Sequence, residues 1–217
     1  MSIFQRRLAS STYALIRSFE RRIEKLEQII DDIQSGSITA ETLAARQMRL
    51  DKLEDIIFSK TADEEEMEEG QEGHERVEDQ ALGGTIAVNL AELEVERQQV
   101  VKLLGLARQV YDAREESKFE KLREVLSDSR FKDEKFIIFT EHRDTLNFLV
   151  RRLEGLGYTG KVAQIHGGMD YQERDVQVEF FRKPSEEGGA SYLVATDAAG
   201  EGINLQFCWL MINYDIP

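Results

Sequence analysis

The sequence predicts an α/β protein: a parallel sheet covered by helices, preceded by a region of long helices. Three observations carry this. Up to about residue 128, apolar residues return every three or four positions. Beyond Arg130, short apolar runs alternate with amphipathic stretches, the pattern of strands buried on both faces with helices between them. Each of those runs also ends in a cluster of hydroxyls, glycines or amides.

The helical region begins with a seam. Ile16, Phe19, Ile23, Leu26, Ile30 and Ile33 are spaced alternately by three and four residues, with charged residues between them. Ser10 or Ser11 is placed to cap its start. "SGS" at 35–37 breaks it, and Leu43, Leu50, Leu53 and Ile57 continue a similar seam, which suggests an antiparallel hairpin. Residues 61–80 then hold ten acids and one base, which is −9 of the formal net charge of −14. A block of like charge with so few apolar residues cannot bury enough surface to fold, so a flexible acidic loop is expected at about 61–84. Ile86, Leu90, Leu93, Val100, Leu104, Ala107 and Tyr111 mark another long helix, and Phe119, Leu122 and Val125 a shorter one. The helical region is therefore placed at 1–129 and the α/β region at 130–217.

In the second region, "KFIIFT" (135–140), "KVAQIH" (161–166), "SYLVAT" (191–196) and "CWLMINY" (208–214) read as strands. "DTLNFLVRRLEGLG" and "DYQERDVQVEFFRK" read as the helices that connect them, through right-handed crossovers. "GLGYTGKV" (155–162) has glycine and lysine at the spacing of a phosphate loop. Val162 stands where that loop needs a hydroxyl, and the stretch precedes a strand, so it reads as a helix stop and turn.

Composition excludes several classes. No run of about 18 uncharged apolar residues exists to span a membrane, and the N-terminus lacks the apolar core of a secretory signal. The single cysteine, Cys208, rules out an internal disulfide and fits a reducing, cytoplasmic setting. The three histidines have no metal-ligand spacing, so no metal site is expected. No broad basic surface exists, so contact with nucleic acid has to be local.

Ligands of open α/β sheets sit beyond the carboxyl ends of the strands. There this chain places Thr140 to Arg143, His166 to Gly168, Thr196 with Asp197 and the Gly200–Asn204 stretch, and Asn213 to Asp215. Glycines let backbone N–H groups approach an anion, and threonine hydroxyls can donate to it, which suggests a phosphate-bearing ligand. Taken singly, Gly167 and Gly168 suit a tight turn, Thr196 and Asp197 a helix cap, and His166 a structural histidine. Their convergence on one edge favours the ligand.

The stretches "KFIIFTEHRDTLNFLVRRL", "IHGGMDYQER" and "YLVATDAAGEGINLQFCWLMINYDIP" resemble three consecutive motifs of the second RecA-like lobe of superfamily-two helicases and translocases. The branch they look most like is the Swi/Snf-like one, in particular its bacterial members related to the RNA-polymerase-associated translocase. The N-terminal "FQRRLASSTYALIRSFERR" resembles the helical segment that joins the two lobes in that branch. The resemblance implies nucleic-acid contacts at Thr140, His166, Gly167, Arg174 and Thr196, and ATP contacts at Gly200, Gly202 and Asn204. Tyr171 stands where the family has the glutamine of a Gln-x-x-Arg element. It also implies an ATP- and Mg²⁺-dependent motor on nucleic acid, DNA in that branch, in a cytoplasmic, nucleoid-associated setting and open to a place in a protein complex. Phosphate loop, metal-binding acids and arginine fingers are not found in this stretch. The chain is therefore expected to be part of a longer motor, to need a first lobe in cis, to bind no cofactor tightly and to have no catalytic residue of its own. The competing expectation is a non-enzymatic coiled-coil adaptor whose α/β part binds a nucleotide or a partner.

Overall fold

A computed structural model describes residues 3–36, 90–113, 117–196 and 203–215. The second seam (Leu43–Ile57), the acidic tract at 61–84 and the Asp197–Gly202 stretch lie outside the described residues. The expected parallel α/β architecture preceded by long helices is present. The chain divides into two compact units, Met1–Arg6 with Leu15–Arg114, and Arg7–Ala14 with Glu115–Pro217.

In the first unit, helix α2 (Thr12–Gln34) contributes its residues from Leu15 onward, and α3 (Leu90–Asp112) packs against them. The predicted seam is the contact. Ile16, Phe19, Leu26 and Ile30 are buried, with Ile23 and Ile33 partly so, against Leu93, Val100, Leu104 and Ala107. Phe4, from α1 (Ile3–Ser10), adds a ring 5.1 Å from that of Phe19. Arg22, 6% exposed, donates to Glu96 through Nε at 2.9 Å and also through Nη2, and Arg108 donates to Glu20 at 2.8 Å. Arg97 donates to Glu27 at 3.2 Å, so the earlier Glu20 meets the later Arg108 and the later Glu27 the earlier Arg97, the antiparallel sense.

The second unit is built on four strands: β1 (Phe136–Thr140), β2 (Val162–Ile165), β3 (Tyr192–Thr196) and β4 (Leu210–Asn213). They are all parallel, in the order β2-β3-β1-β4. Every residue of β3 is buried because it lies inside the sheet, and Ile137, Ile138, Leu193 and Val194 are at most 1% exposed. Helix α5 (Arg143–Leu153) buries Leu146, Phe148, Leu149 and Leu153, and α6 (Tyr171–Arg182) buries Val178 and Phe181. Asp170 and Glu173 form a reciprocal capping box that sets the first turn of α6. "GLGYTGKV" is the anticipated stop and turn: Gly157 and Gly160 take φ of 100° and 71°, the left-handed region that favours glycine.

Two features depart from the sequence reading. The sheet unit begins at Glu115 rather than at 130, and it takes in Arg7–Ala14. The reason is side-chain packing. Helix α4 (Ser117–Leu126) sets Phe119 edge-on to Phe148 at 5.8 Å, and Lys118 donates to the Ala9 carbonyl at 2.6 Å. Ser10 and Ser11 share hydrogen bonds with the buried Thr145 hydroxyl at 2.6 and 2.9 Å, while Ser11 Oγ also accepts from Ala14 N and so caps α2. The second departure is β4. It is an edge strand, and Met211 and the preceding Trp209 are 66% and 69% exposed.

Candidate nucleic-acid interface

Parallel strands put all four carboxyl ends on one edge, so the predicted clusters meet there. Thr140 and Thr196 are register partners at the ends of β1 and β3. Ile165 ends β2 one residue before His166 and is paired with Ala195, one residue before Thr196. The juxtaposition read from the strand ends is therefore present.

Burial differentiates its members. Thr140 is 1% and Thr196 4% exposed. The Thr140 hydroxyl donates to Asp215 Oδ2 at 2.7 Å, and the Glu141 backbone N–H donates to the same oxygen. Thr140 thus points at a carboxylate rather than outward. Its part at the edge is to anchor the β1 exit to the β4 exit, with Asp215 N held by Asn213 Oδ1 at 3.3 Å. Sequence reading placed Asp215 among the polar strand ends without giving it a task; a carboxylate two residues past a strand end is the only signal it carried.

Arg174 is likewise engaged. Its Nε donates to the Met169 carbonyl at 2.9 Å and its Nη2 to the Gly167 carbonyl at 2.8 Å. The guanidinium fork grips two carbonyls of the loop that follows β2, while the Met169 N–H closes the loop on the His166 carbonyl at 3.1 Å. Gly168 is held close: a Cβ there would lie 3.2 Å from Arg143 Nη1 and 3.3 Å from His166 Nδ1. A side chain at Gly168 would therefore need the Arg143 guanidinium and the His166 imidazole to give by a few tenths of an ångström.

Of the ATP contacts implied by the resemblance, Gly200 and Gly202 lie outside the described residues. Asn204 is exposed, and its Oδ1 accepts from Gln206 N at 3.1 Å, which leaves its NH₂ as the remaining donor of that amide. Among the described residues no group of three or more His, Cys, Asp or Glu side chains is placed to hold a metal ion. No described helix is long and apolar enough to cross a membrane.

Beside the loop, a groove of about 590 Å³ opens along the outer side of β2. Its walls include Arg143, Gln164, Met169, Gln172, Val176 and Gln177. None of the three glutamines was singled out from the sequence, because glutamine on a helix or an edge strand is ordinarily a solvated side chain.

Residues 117–217 match the family profile of the helicase conserved C-terminal domain, a stretch that lies within the sheet unit. Among curated relatives, the ATP-dependent RNA helicase DbpA of Bacillus subtilis is 40% identical over 123 residues, 54% of this chain and 24% of the relative. The uncharacterized ATP-dependent helicase YqhH of the same organism is 44% identical over 85 residues, 39% of this chain and 14% of the relative. The chain thus spans about a quarter or less of these relatives. Among solved structures, the helicase domain of Pyrococcus furiosus Hef aligns over 91% of this chain and 47% of its own, at 18% identity and a TM-score of 0.44.

Proposed function

We propose that the sheet unit is the second lobe of an ATP-dependent helicase or translocase and grips the phosphate backbone of a nucleic-acid strand while facing ATP held by a phosphate-loop lobe. The observation that carries this reading is the coincidence of the helicase C-terminal match with the residues whose strand ends share one edge. Gly167 and Gly168 offer backbone N–H groups to phosphate, with His166 beside them, and Thr196 offers a hydroxyl. Arg174 and Thr140 act behind them, one holding the loop and the other pinning the β1 exit. Asn204, Gly200 and Gly202 are the residues this reading assigns to ATP, and Mg²⁺ is held by the acids of the other lobe.

The motif resemblance points to a Swi/Snf-like motor on DNA, in the cytoplasm and at the nucleoid, whereas the names of relatives such as DbpA point to RNA. Fluorescence anisotropy of this chain with single- and double-stranded DNA and RNA oligonucleotides decides the track. ATP turnover should appear only when the lobe is joined to a phosphate-loop lobe, and should fall with Thr196→Val. Absence of binding to all four oligonucleotides overturns the proposal.

A second reading, an interaction role for the helical unit, is favoured by Val95, Leu103, Leu106 and Val110 of α3, which are 44–58% exposed along one face. Sedimentation of residues 1–114 within the whole chain, with and without charges placed at Leu103 and Leu106, tests whether that face pairs two copies.

A further inference from the structure

We propose that the groove beside the His166–Met169 loop holds an unstacked base of a single-stranded nucleic acid, with the Tyr171 ring as its stacking face. The inference rests on the nucleic-acid reading above and adds what that reading lacks, a contact to bases. Tyr171 is 82% exposed, the most exposed large apolar or aromatic residue among the described residues, and it is the immediate chain neighbour of the groove residue Gln172. The capping box beneath it fixes the first turn of α6, so the ring is carried on a rigid element. Exposed aromatic rings beside a backbone-tracking surface stack on bases regardless of sequence, because every base has a π-face.

The groove has the mixed chemistry of a base. Met169 and Val176, the latter 64% exposed, supply apolar wall for a flat face. Gln164, Gln172 and Gln177 supply amides for a polar edge. Gln177 Oε1 already accepts from the Gln164 backbone N–H at 3.0 Å, which commits its oxygen and leaves its NH₂ to a ligand acceptor. That bond also occupies an outward N–H of the edge strand β2, which disfavours a peptide strand adding there. Glu173, the acid on the groove wall, has its carboxylate turned to Asp170 N, so it caps the helix instead of facing a phosphate. Amides carry both donors and acceptors, so the groove accepts any base and suits a motor that must track every sequence.

The test is anisotropy of the whole chain with a single-stranded 12-mer, the same strand with abasic sugars, and a mononucleotide. Tyr171→Ala should weaken the normal strand about 5- to 100-fold, the range for removing one stacking ring, while Tyr171→Phe binds like the native chain. The abasic strand should bind weakly and ignore Tyr171→Ala. Normal binding by Tyr171→Ala, with the oligonucleotide still bound, overturns this inference alone. Failure of the native chain to bind any strand overturns the nucleic-acid reading with it. A mononucleotide that binds as tightly as the strand overturns the assignment to a polymer. Circular dichroism of each variant confirms that an exposed ring has been removed without unfolding.

Discussion

The Thr140 hydroxyl and Asp215 Oδ2 lie 2.7 Å apart and join the exits of two adjacent parallel strands. A carboxylate that accepts from a buried hydroxyl and from the Glu141 N–H makes charge-assisted bonds, which are about twice as strong as neutral ones. Asp215→Ala leaves the Thr140 hydroxyl buried without its acceptor and should cost about 2–3 kcal/mol in urea denaturation. Adding Thr140→Val should recover part of that loss. Strict additivity in the double variant argues against the pairing.

Arg174 is expected to act through the loop. Arg174→Lys keeps the charge but loses the fork that spans the Gly167 and Met169 carbonyls. Hydrogen exchange at Gly168 and Met169 should quicken by about tenfold, and strand binding should weaken although the net charge is unchanged. Binding retained in full by the lysine variant would mean that charge alone matters at this position.

Gly188 and Gly189 look alike in sequence and should respond differently. Gly188 has φ of 85° and open space around it, so Gly188→Ala should cost about 1–2 kcal/mol for the left-handed backbone. A Cβ on Gly189 would fall 1.8 Å from the Lys183 carbonyl oxygen, while Gly189 N is bonded to Pro184 O at 2.9 Å. Gly189→Ala should cost at least about 3 kcal/mol, because backbone has to move. Thermal melts of the two variants, compared side by side, check the ranking.

Cys208 should be a slow thiol. Burial pushes its ionisation above the usual range, and its S–H donates to the Lys135 carbonyl at 3.2 Å. Native protein should alkylate with iodoacetamide more slowly than urea-unfolded protein, with a higher pH midpoint, as read by mass spectrometry. The sign for stability follows. The folded chain keeps its thiol proton where the unfolded chain has lost it, so this contribution is intact below the ordinary thiol pKa and is lost as pH rises through the raised one. Lys135, whose ionisation burial lowers, acts oppositely in the alkaline range. The alkylation midpoint isolates the cysteine.

In the helical unit, Glu96→Gln should cost about 1–3 kcal/mol, because Arg22 is 6% exposed and retains its charge beside a neutral amide. Arg22→Met with Glu96→Gln should be milder than Glu96→Gln alone. A double variant worse than either single change would show that the pair contributes net stability beyond satisfying a buried charge.

Much of the sheet was legible because each strand is a short apolar run closed by a change of chemistry. Phe136–Thr140 and Tyr192–Thr196 are buried along nearly their whole lengths, and a continuous apolar run is what such a position requires. The seam Ile16–Ile33 was legible for a similar reason, since a 3–4 spacing has one helical solution. Strand β4 was less so. Its apolar run resembles that of a central strand, and Met211 is exposed because the edge position is set by strand order, which a run of residues does not encode. Helix α4 fell on the wrong side of the expected boundary because its period matches the helices before it, whereas its partner, Phe148, lies in the sheet unit.

By itself the sequence determined which residues gather at the carboxyl edge of the sheet. Parallel strands of fixed polarity carry whatever follows them to one side, so Thr140, His166 and Thr196 had to meet. Only the tertiary structure decided which of them face outward. Arg174 and Thr140 turn their polar atoms to the Gly167 carbonyl and to Asp215, while Tyr171 is left in solvent. That choice depends on hydrogen-bond partners brought together from 7 and 75 residues apart, a matter of distance in space that no spacing along the chain contains.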